Sequence, residues 1–160
     1  MPGNHDPNVK PLDTTFVALD HRVPIPGPEG CDNVDGRITE VQGLRVAGLG
    51  GSLRYKDGPN QYTQAQMRWR AINLEFRIRL KRVASGRRVD VLITHAPPFG
   101  VTSAEDAAHV GFIAFNRIVT GLHPQLLVHG HVHPFGKTQP ERRVNGTRIV
   151  NAIPSRLIEL

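Results

Sequence analysis

Residues 126–133 read LLVHGHVH: a short apolar run leads into histidines at every second position, and the rest of the chain is arranged around this strand end. In extended backbone, alternate side chains point the same way. His131 and His133 would then reach one side, about 6–7 Å apart at a rise of about 3.3 Å per residue. That spacing suits two imidazoles serving neighbouring metal ions, since paired catalytic metals lie about 3.5–4 Å apart. A strand end that is rich in histidine for structural reasons stays open as an alternative.

Length and composition are those of one globular domain. The chain has 160 residues, which is enough for a substantial core. Its single cysteine, Cys31, excludes an internal disulfide and a thiolate metal cluster, and it favours a reducing, cytoplasmic setting. No apolar run approaches the about 20 residues that cross a bilayer, and no basic start precedes an apolar stretch. We therefore expect neither a membrane partner nor a signal peptide.

The positive charge is concentrated in one segment. The formal net charge is +6, and much of it lies between Arg68 and Arg88. A basic patch can attract nucleic acid or a phosphorylated ligand, but a solvated helix face explains this segment more simply. Aromatic residues make up only 6% of the chain, so single-stranded nucleic acid would find few stacking platforms. We expect no nucleic-acid partner, although a basic nucleic-acid-binding module remains an alternative.

Local patterns predict strands and helices in alternation. Two strands, 37–41 and 44–49, flank a tight turn at Gln42-Gly43. A long helix begins at Thr63, which forms a capping-box pair with Gln66, and it ends at Gly86. Its apolar residues recur at helical spacing and predict one broad buried stripe. The stripe consists of Met67, Ala71, Leu74 and Ile78, broadened by Ile72, Phe76, Leu80 and Val83.

The second half of the chain continues this alternation. Residues 89–94 form a near-continuous apolar run that is typical of a strand buried on both faces. A second helical stripe follows over 112–122, and then the strand 126–133. Asn145-Gly146 is a strong signal for a type I′ hairpin, and 157–160 could add a last strand. Together these elements favour an α/β domain.

Two further stretches carry potential ligands. Asn4 offers an amide oxygen, His5 an imidazole, and Asp6 a carboxylate that could orient that imidazole. A polar turn is the structural alternative for these residues. His95 follows the buried strand 89–94, at the carboxyl end where open α/β sheets bind ligands. The glycines at 48, 50 and 51 allow a close backbone approach, to a ligand or to a metal site.

Taken together, the motifs Gly3-Asn4-His5-Asp6, Thr94-His95 and Gly130-His131-Val132-His133 resemble the later motifs of calcineurin-like metallophosphoesterases. Their order and their placement at strand ends match, and the resemblance extends from the first residues to about Asn151. It implies an α/β fold of the αββα type, with two sheets flanked by helices. It also implies a centre of two divalent metal ions at the strand ends.

The resemblance also assigns roles to residues of this chain. Asn4, His95 and His131 would bind one metal ion, and His133 would bind the other. His5 would contact the scissile phosphate and protonate the leaving oxygen. Imidazole, amide and carboxylate donors suit Mn, Fe, Zn or Ni without distinguishing among them.

Two histidines beside these motifs are less clearly placed. His109 lies in a loop that could reach the substrate. His129 has no ligand role in the family pattern. It is expected to be structural, or to contact a metal-binding residue and hold it in place.

The chain departs from the family pattern at its start. The two earlier motifs of the family, Asp-x-His and Gly-Asp-x-x-Asp, are absent from the sequence. Their loss would remove the carboxylate that bridges the metals and leave His133 to hold its ion poorly. We therefore expect one metallophosphoesterase-like domain over residues 1–160 that lacks its N-terminal strands, as the C-terminal part of a longer enzyme.

The leading hypothesis is a phosphoesterase that hydrolyses a phosphoester or phosphodiester bond of a small phosphorylated substrate with metal-activated water. A catalytically incomplete remnant that binds one metal or a nucleotide is the main alternative. The sequence leaves open the substrate, the identity of the metal and the oligomeric state.

Overall fold

The structure, a computed structural model, describes residues 32–102, 109–133 and 141–160. In chain order its strands and helices are β1 (Ile38–Val41), β2 (Leu44–Leu49), β3 (Ser52–Leu53), β4 (Gln61–Tyr62), α1 (Gln64–Ser85), β5 (Val91–Thr94), α2 (Ile113–Leu122), β6 (Leu126–His129), β7 (Arg142–Val144) and β8 (Thr147–Asn151).

Six of the strands form one mixed sheet in the order β1-β2-β5-β6-β8-β7. The four central strands β2, β5, β6 and β8 run parallel, and an antiparallel hairpin closes each edge. The strands β3 and β4 pair separately as a short parallel ladder. The α/β class expected from the sequence is confirmed, and the parallel centre brings four strand ends to one edge of the sheet.

Turn chemistry places both hairpins where the sequence predicts them. Gln42 and Gly43 have φ angles of 47° and 82°, and they join β1 to β2. Asn145 and Gly146 have φ angles of 49° and 85°, and they join β7 to β8. Two successive residues with positive φ match the right-handed twist of the flanking strands, which is why a type I′ turn is favoured there.

The predicted boundaries of α1 are confirmed. The Thr63 hydroxyl accepts a hydrogen bond from the Gln66 N–H at 3.2 Å, and the Gln66 side chain accepts one from the Thr63 N–H at 2.9 Å. These bonds satisfy two of the donors that a helix start leaves unpaired. At the other end Gly86 adopts the left-handed conformation at φ 70°, which ends the helix.

The two helices pack on one face of the sheet. The core there combines the inward residues of α1 and α2 with alternate residues of the strands, among them Ala47, Leu92 and Leu127. A second, smaller cluster on the opposite face contains Val46, Val91, Leu126 and Val150, with Ile158 packed against it.

Polar contacts join the helices as well. Glu75 is buried on α1 and pairs with Arg79 at 2.7 Å and with Arg117 of α2 at 3.3 Å. Gln64, the first residue of α1, accepts a hydrogen bond from the Ile113 N–H at 3.2 Å. Its amide also donates to the Gly111 carbonyl at 2.9 Å. Since Phe112 provides no side-chain cap, α1 caps the start of α2 from a distance.

Three expectations about local structure are wrong. The broad buried stripe of α1 does not exist, because Phe76, Leu80 and Val83 are 61%, 54% and 87% exposed. The strand expected over 126–133 ends at His129. Residues 157–160 form no strand.

None of the helices in the described part of the chain has the length and apolarity that crossing a membrane requires.

Candidate metal centre

The candidate site lies where the parallel strands β5, β6 and β8 end. His95 directly follows β5, His129 is the last residue of β6, and Asn151 is the last residue of β8. Because neighbouring parallel strands end on one edge, these polar residues are brought together although they are distant in sequence.

His95 and His131 approach one another closely. The Nε2 atom of His95 lies 3.1 Å from the Nδ1 atom of His131, and the ring centroids are 4.8 Å apart with a tilt of 53°. The His131 residue is buried, with 9% of its surface exposed. Two ring nitrogens thus face each other across a distance that suits either a shared proton or a shared cation.

Backbone contacts fix this approach. The Gly130 N–H donates to the His95 carbonyl at 3.0 Å and so ties the two strand ends together. His131 has a φ angle of 65°, which turns the chain out of the strand direction. The Asn151 amide donates to the Val132 carbonyl at 2.8 Å and holds the segment that follows. The expectation that His131 continues the alternation of an extended strand is therefore wrong.

A third imidazole joins the pair. The ring of His109 lies 4.8 Å from the ring of His131, with a tilt of 36° between the planes. The carbonyl of His109 accepts a hydrogen bond from the Thr102 hydroxyl at 3.4 Å. His109 belongs to no motif and was expected only in a loop that could reach the substrate, and the structure places its ring beside a predicted ligand.

The segment that carries His109 is fastened to the segment that follows His95. The Phe112 N–H donates to the Pro97 carbonyl at 3.1 Å, and the Phe99 N–H donates to the Phe112 carbonyl at 3.1 Å. Gly111 has a φ angle of 82°, and a Cβ atom there would lie 2.3 Å from the Pro97 oxygen. Only glycine permits this approach, so it fixes His109 relative to His95.

His129 serves the structure around the site. It is 3% exposed, and its Nδ1 atom lies 3.1 Å from the Gly130 carbonyl. Burial lowers the pKa of His129, against the opposing effect of the hydrogen bond to the Gly130 carbonyl. Burial therefore favours the uncharged form of this imidazole.

Of the other predicted site residues, His133 is the one that lies in the described part of the chain. His133 lies two residues beyond His131 and is exposed to solvent. Asn4 and His5 lie outside the described residues, so the proposed third ligand and the proposed acid stay predictions. Within residues 32–102, 109–133 and 141–160, no group of three or more His, Cys, Asp or Glu side chains is placed to hold an ion.

The donors that are described do fit a divalent ion. Metal–nitrogen bonds to histidine are about 2.0–2.1 Å long, so two nitrogens on one ion lie roughly 3–3.4 Å apart. The 3.1 Å between His95 Nε2 and His131 Nδ1 falls in this range. Both side chains come from loops held by backbone hydrogen bonds, which is the arrangement that a metal ligand needs.

The glycine-rich turn after β2 lies close to other residues of this chain. Gly51 has a φ angle of 95°, and a Cβ atom there would lie 2.4 Å from the Tyr62 ring and 2.6 Å from the Asn60 carbonyl. Asp35 holds the same turn, because its carboxylate accepts from the Gly50 N–H at 2.6 Å and from Arg70. Among the described residues, the close approach at Gly51 therefore serves the contact between β3 and β4.

Asn151 is a supporting residue that sequence reasoning did not single out. It is buried, with 6% of its surface exposed, and it acts through its bond to the Val132 carbonyl. A polar side chain at the carboxyl end of an apolar strand was the available signal, since such strand ends line ligand sites in α/β sheets.

Ligand sites of α/β sheets lie beyond the carboxyl ends of parallel strands, and His95 and His131 are brought together at such a place. The family described as "Metallophosphoesterase, calcineurin superfamily" matches residues 2–155, and the chain belongs to this family. The resemblance inferred from three short motifs is thereby confirmed.

Comparison with solved structures gives more distant likenesses. One crystal structure is 23% identical, has a TM-score of 0.49, and aligns with 74% of this chain and 44% of its own. The crystal structure of TT1561 of Thermus thermophilus is 17% identical, with a TM-score of 0.48 and coverage of 75% and 48%. The chain thus spans about half the length of these proteins. A search of curated proteins finds no match.

Proposed function

We propose that this chain takes part in the hydrolysis of phosphoester or phosphodiester bonds, with divalent metal ions held by Asn4, His95, His131 and His133. The observation that carries the proposal is the 3.1 Å approach of the His95 and His131 ring nitrogens in a chain of the metallophosphoesterase family. Bound ions of the Mn, Fe, Zn or Ni type would supply charge at the phosphoryl oxygens and an activated water.

The residues of the chain would have distinct roles in binding the ions and in transferring a proton. His95 and His131 present ring nitrogens from segments that are tied together by the hydrogen bond from the Gly130 N–H to the His95 carbonyl. His5 is the proposed acid, since imidazole can donate a proton to a leaving oxygen near neutral pH. Its assignment rests on the family motif Gly3-Asn4-His5-Asp6. A small phosphorylated molecule is the proposed substrate, and a reducing, cytoplasmic setting is supported by the single cysteine.

We assign His109 to the substrate and not to the ion. Its ring is packed beside the His131 ring at 4.8 Å, on the segment fastened to Pro97. From there an imidazole N–H can donate a hydrogen bond to a phosphoryl oxygen. The expected signature is a His109→Gln variant that keeps its ion affinity but binds inorganic phosphate more weakly in the presence of the ion.

The test is calorimetric titration of the 160-residue chain with Mn²⁺. His95→Ala and His131→Ala are each expected to weaken ion binding by at least about tenfold, since even supporting residues of metal sites have effects of that size. His123→Asn is the matched control, because His123 is exposed at the end of α2 at φ 48° and asparagine tolerates this conformation. Unchanged ion affinity in both alanine variants would contradict the ligand assignment.

Hydrolysis of bis(p-nitrophenyl) phosphate separates the alternatives. Chelator-sensitive hydrolysis that His131→Ala abolishes supports the phosphoesterase. Ion binding without hydrolysis favours the remnant that binds one metal. Binding to nucleic acid that falls steeply with salt and ignores chelator favours the basic module.

A further inference from the structure

The outward side of α1 carries an apolar ridge, which we call the outer stripe: Trp69, Phe76, Leu80 and Val83. These side chains are 68%, 61%, 54% and 87% exposed. Large apolar residues scattered singly on a surface need no explanation, but a contiguous row of them marks an interaction site. The sequence pattern predicted burial for three of the four, and the structure leaves them in solvent.

Helix geometry shows that the members of the outer stripe lie on one side of α1. At 100° per residue, its four side chains fall within an arc of about 60°. Met67, Leu74 and Ile78 lie on the opposite side and are at most 3% exposed. The helix is therefore apolar on two opposite sides, and only one of them faces the core of the domain.

The borders of the outer stripe are positively charged. Arg68 and Arg79 follow one border on the helix, and Arg77 follows the other. Glu75 is the only acidic residue of α1, and it is buried against Arg79 and Arg117. Arg68 has no ion pair within the described ranges, and Arg88 extends the positive charge past the end of the helix.

We propose that the outer stripe docks α1 onto an anionic lipid surface. Helices that lie in a membrane interface place Trp, Phe and Leu on one side, with Lys and Arg beside them. Each cation near such a surface adds to the affinity. Surface docking needs no spanning segment, so it is compatible with the absence of a membrane-spanning helix among the described residues. It departs from the expectation of no membrane partner, which the sequence supported only through the lack of a long apolar run.

The observations favour lipid over two other occupants. A second copy of the chain would bring two sets of arginines into one interface, where like charges repel. An acidic partner helix would bind in an apolar groove. The outer stripe offers no groove, because its side chains are more than half exposed and project from a single helix.

Trp69 makes a direct test possible, because it is the only tryptophan of the chain. Its fluorescence is followed while phosphatidylcholine vesicles, with and without phosphatidylglycerol, are added to the full chain. A blue shift with the anionic vesicles alone is expected, together with quenching by brominated lipid. High salt should reverse the shift, since screening shortens the reach of charges to about 3 Å at 1 M.

Two variants locate the binding. Phe76→Gln combined with Leu80→Gln keeps the reporter and is expected to weaken vesicle binding at least about tenfold. Arg68→Gln should weaken it roughly fivefold, from the loss of one cation that borders the outer stripe. Leu157→Gln is the matched control, because Leu157 is 94% exposed and lies outside α1. This variant should bind vesicles as the parent chain does.

Urea unfolding shows whether each variant is folded, and all these positions are exposed, so unchanged midpoints are expected. A shift that does not depend on anionic lipid, or no shift at all, would overturn the proposal. A shift that grows with protein concentration in the absence of lipid would overturn it too, in favour of a second copy.

Discussion

The outer stripe of α1 and the buried apolar side of the same helix, formed by Met67, Ala71, Leu74 and Ile78, have similar chemistry and opposite surroundings. Leu74 and Ile78 are 1% and 3% exposed against the sheet and α2, whereas Phe76 and Leu80, which alternate with them, are 61% and 54% exposed. Periodicity of apolar residues therefore identifies the helix without showing which apolar side meets the core. That choice depends on what lies opposite, which is a property of the whole fold.

The strongest test of this contrast is a pair of leucine substitutions on α1. Leu74→Ala is expected to lower the free energy of unfolding by about 2–5 kcal/mol, because it leaves a cavity in a packed core. Leu80→Ala should change it by less than about 0.5 kcal/mol, as surface substitutions do. Urea denaturation of both variants measures the difference. Equal losses would show that the outer stripe is covered and would remove the contrast.

A pair of glycine substitutions tests the same contrast between a packed and an open position, now at the backbone. Gly86 at φ 70° has open space around its Cβ position, whereas Gly111 at φ 82° would place a Cβ atom against the Pro97 carbonyl. Both alanine variants bear the cost of left-handed backbone. Gly111→Ala should cost about 1–3 kcal/mol more in unfolding free energy, from steric overlap. Matching denaturation midpoints would contradict the tight contact at Gly111.

The start of α1 tests whether this helix also holds α2. Gln64→Ala removes two hydrogen bonds, to the Gly111 carbonyl and from the Ile113 N–H, and should cost about 1–2 kcal/mol of unfolding free energy. Hydrogen exchange of the Ile113 amide should become faster, because its acceptor is lost. Asn73→Ala, at an exposed position of the same helix, is the control. An unchanged Ile113 amide would show that α2 does not depend on α1 for its cap.

The smallest effect is expected at the cap of α1 itself. Thr63→Ala breaks the capping box and should cost about 1 kcal/mol of unfolding free energy. Because it loosens only the first turn, the affinity for Mn²⁺ should stay as in the parent chain. A change in ion affinity, measured by calorimetry, would link the helix start to the metal centre more tightly than the contacts indicate.

Much of the fold follows from local chemistry. The turns at Gln42-Gly43 and Asn145-Gly146, the capping box at Thr63 and the stop at Gly86 each act within a few residues, so the sequence shows them directly. The end of β6 at His129 could not be predicted in this way. It depends on the hydrogen bond from Gly130 to His95, which is 35 residues away in the chain.

The candidate site, like the fold, could be predicted from the sequence only in part. His95 and His131 could be paired from their strand-end positions and from the family motifs, and the structure brings their ring nitrogens within 3.1 Å. The place of His109 depends on backbone contacts between Pro97 and Phe112, for which no local pattern exists. The roles of Asn4, His5 and His133, and the single domain over residues 1–160, stay predictions.

The hydrogen bond from Gly130 to the His95 carbonyl also bears on the entropy of ligand capture. It lies beyond the last paired residues of β5 and β6, Ile93 and Val128, and couples the two segments after the strands have ended. A displacement of one segment would then carry the other with it, and the two backbones that bear the rings would stay in register. Ligand side chains that are already ordered lose little conformational entropy when they bind an ion, so less of the favourable binding free energy is offset.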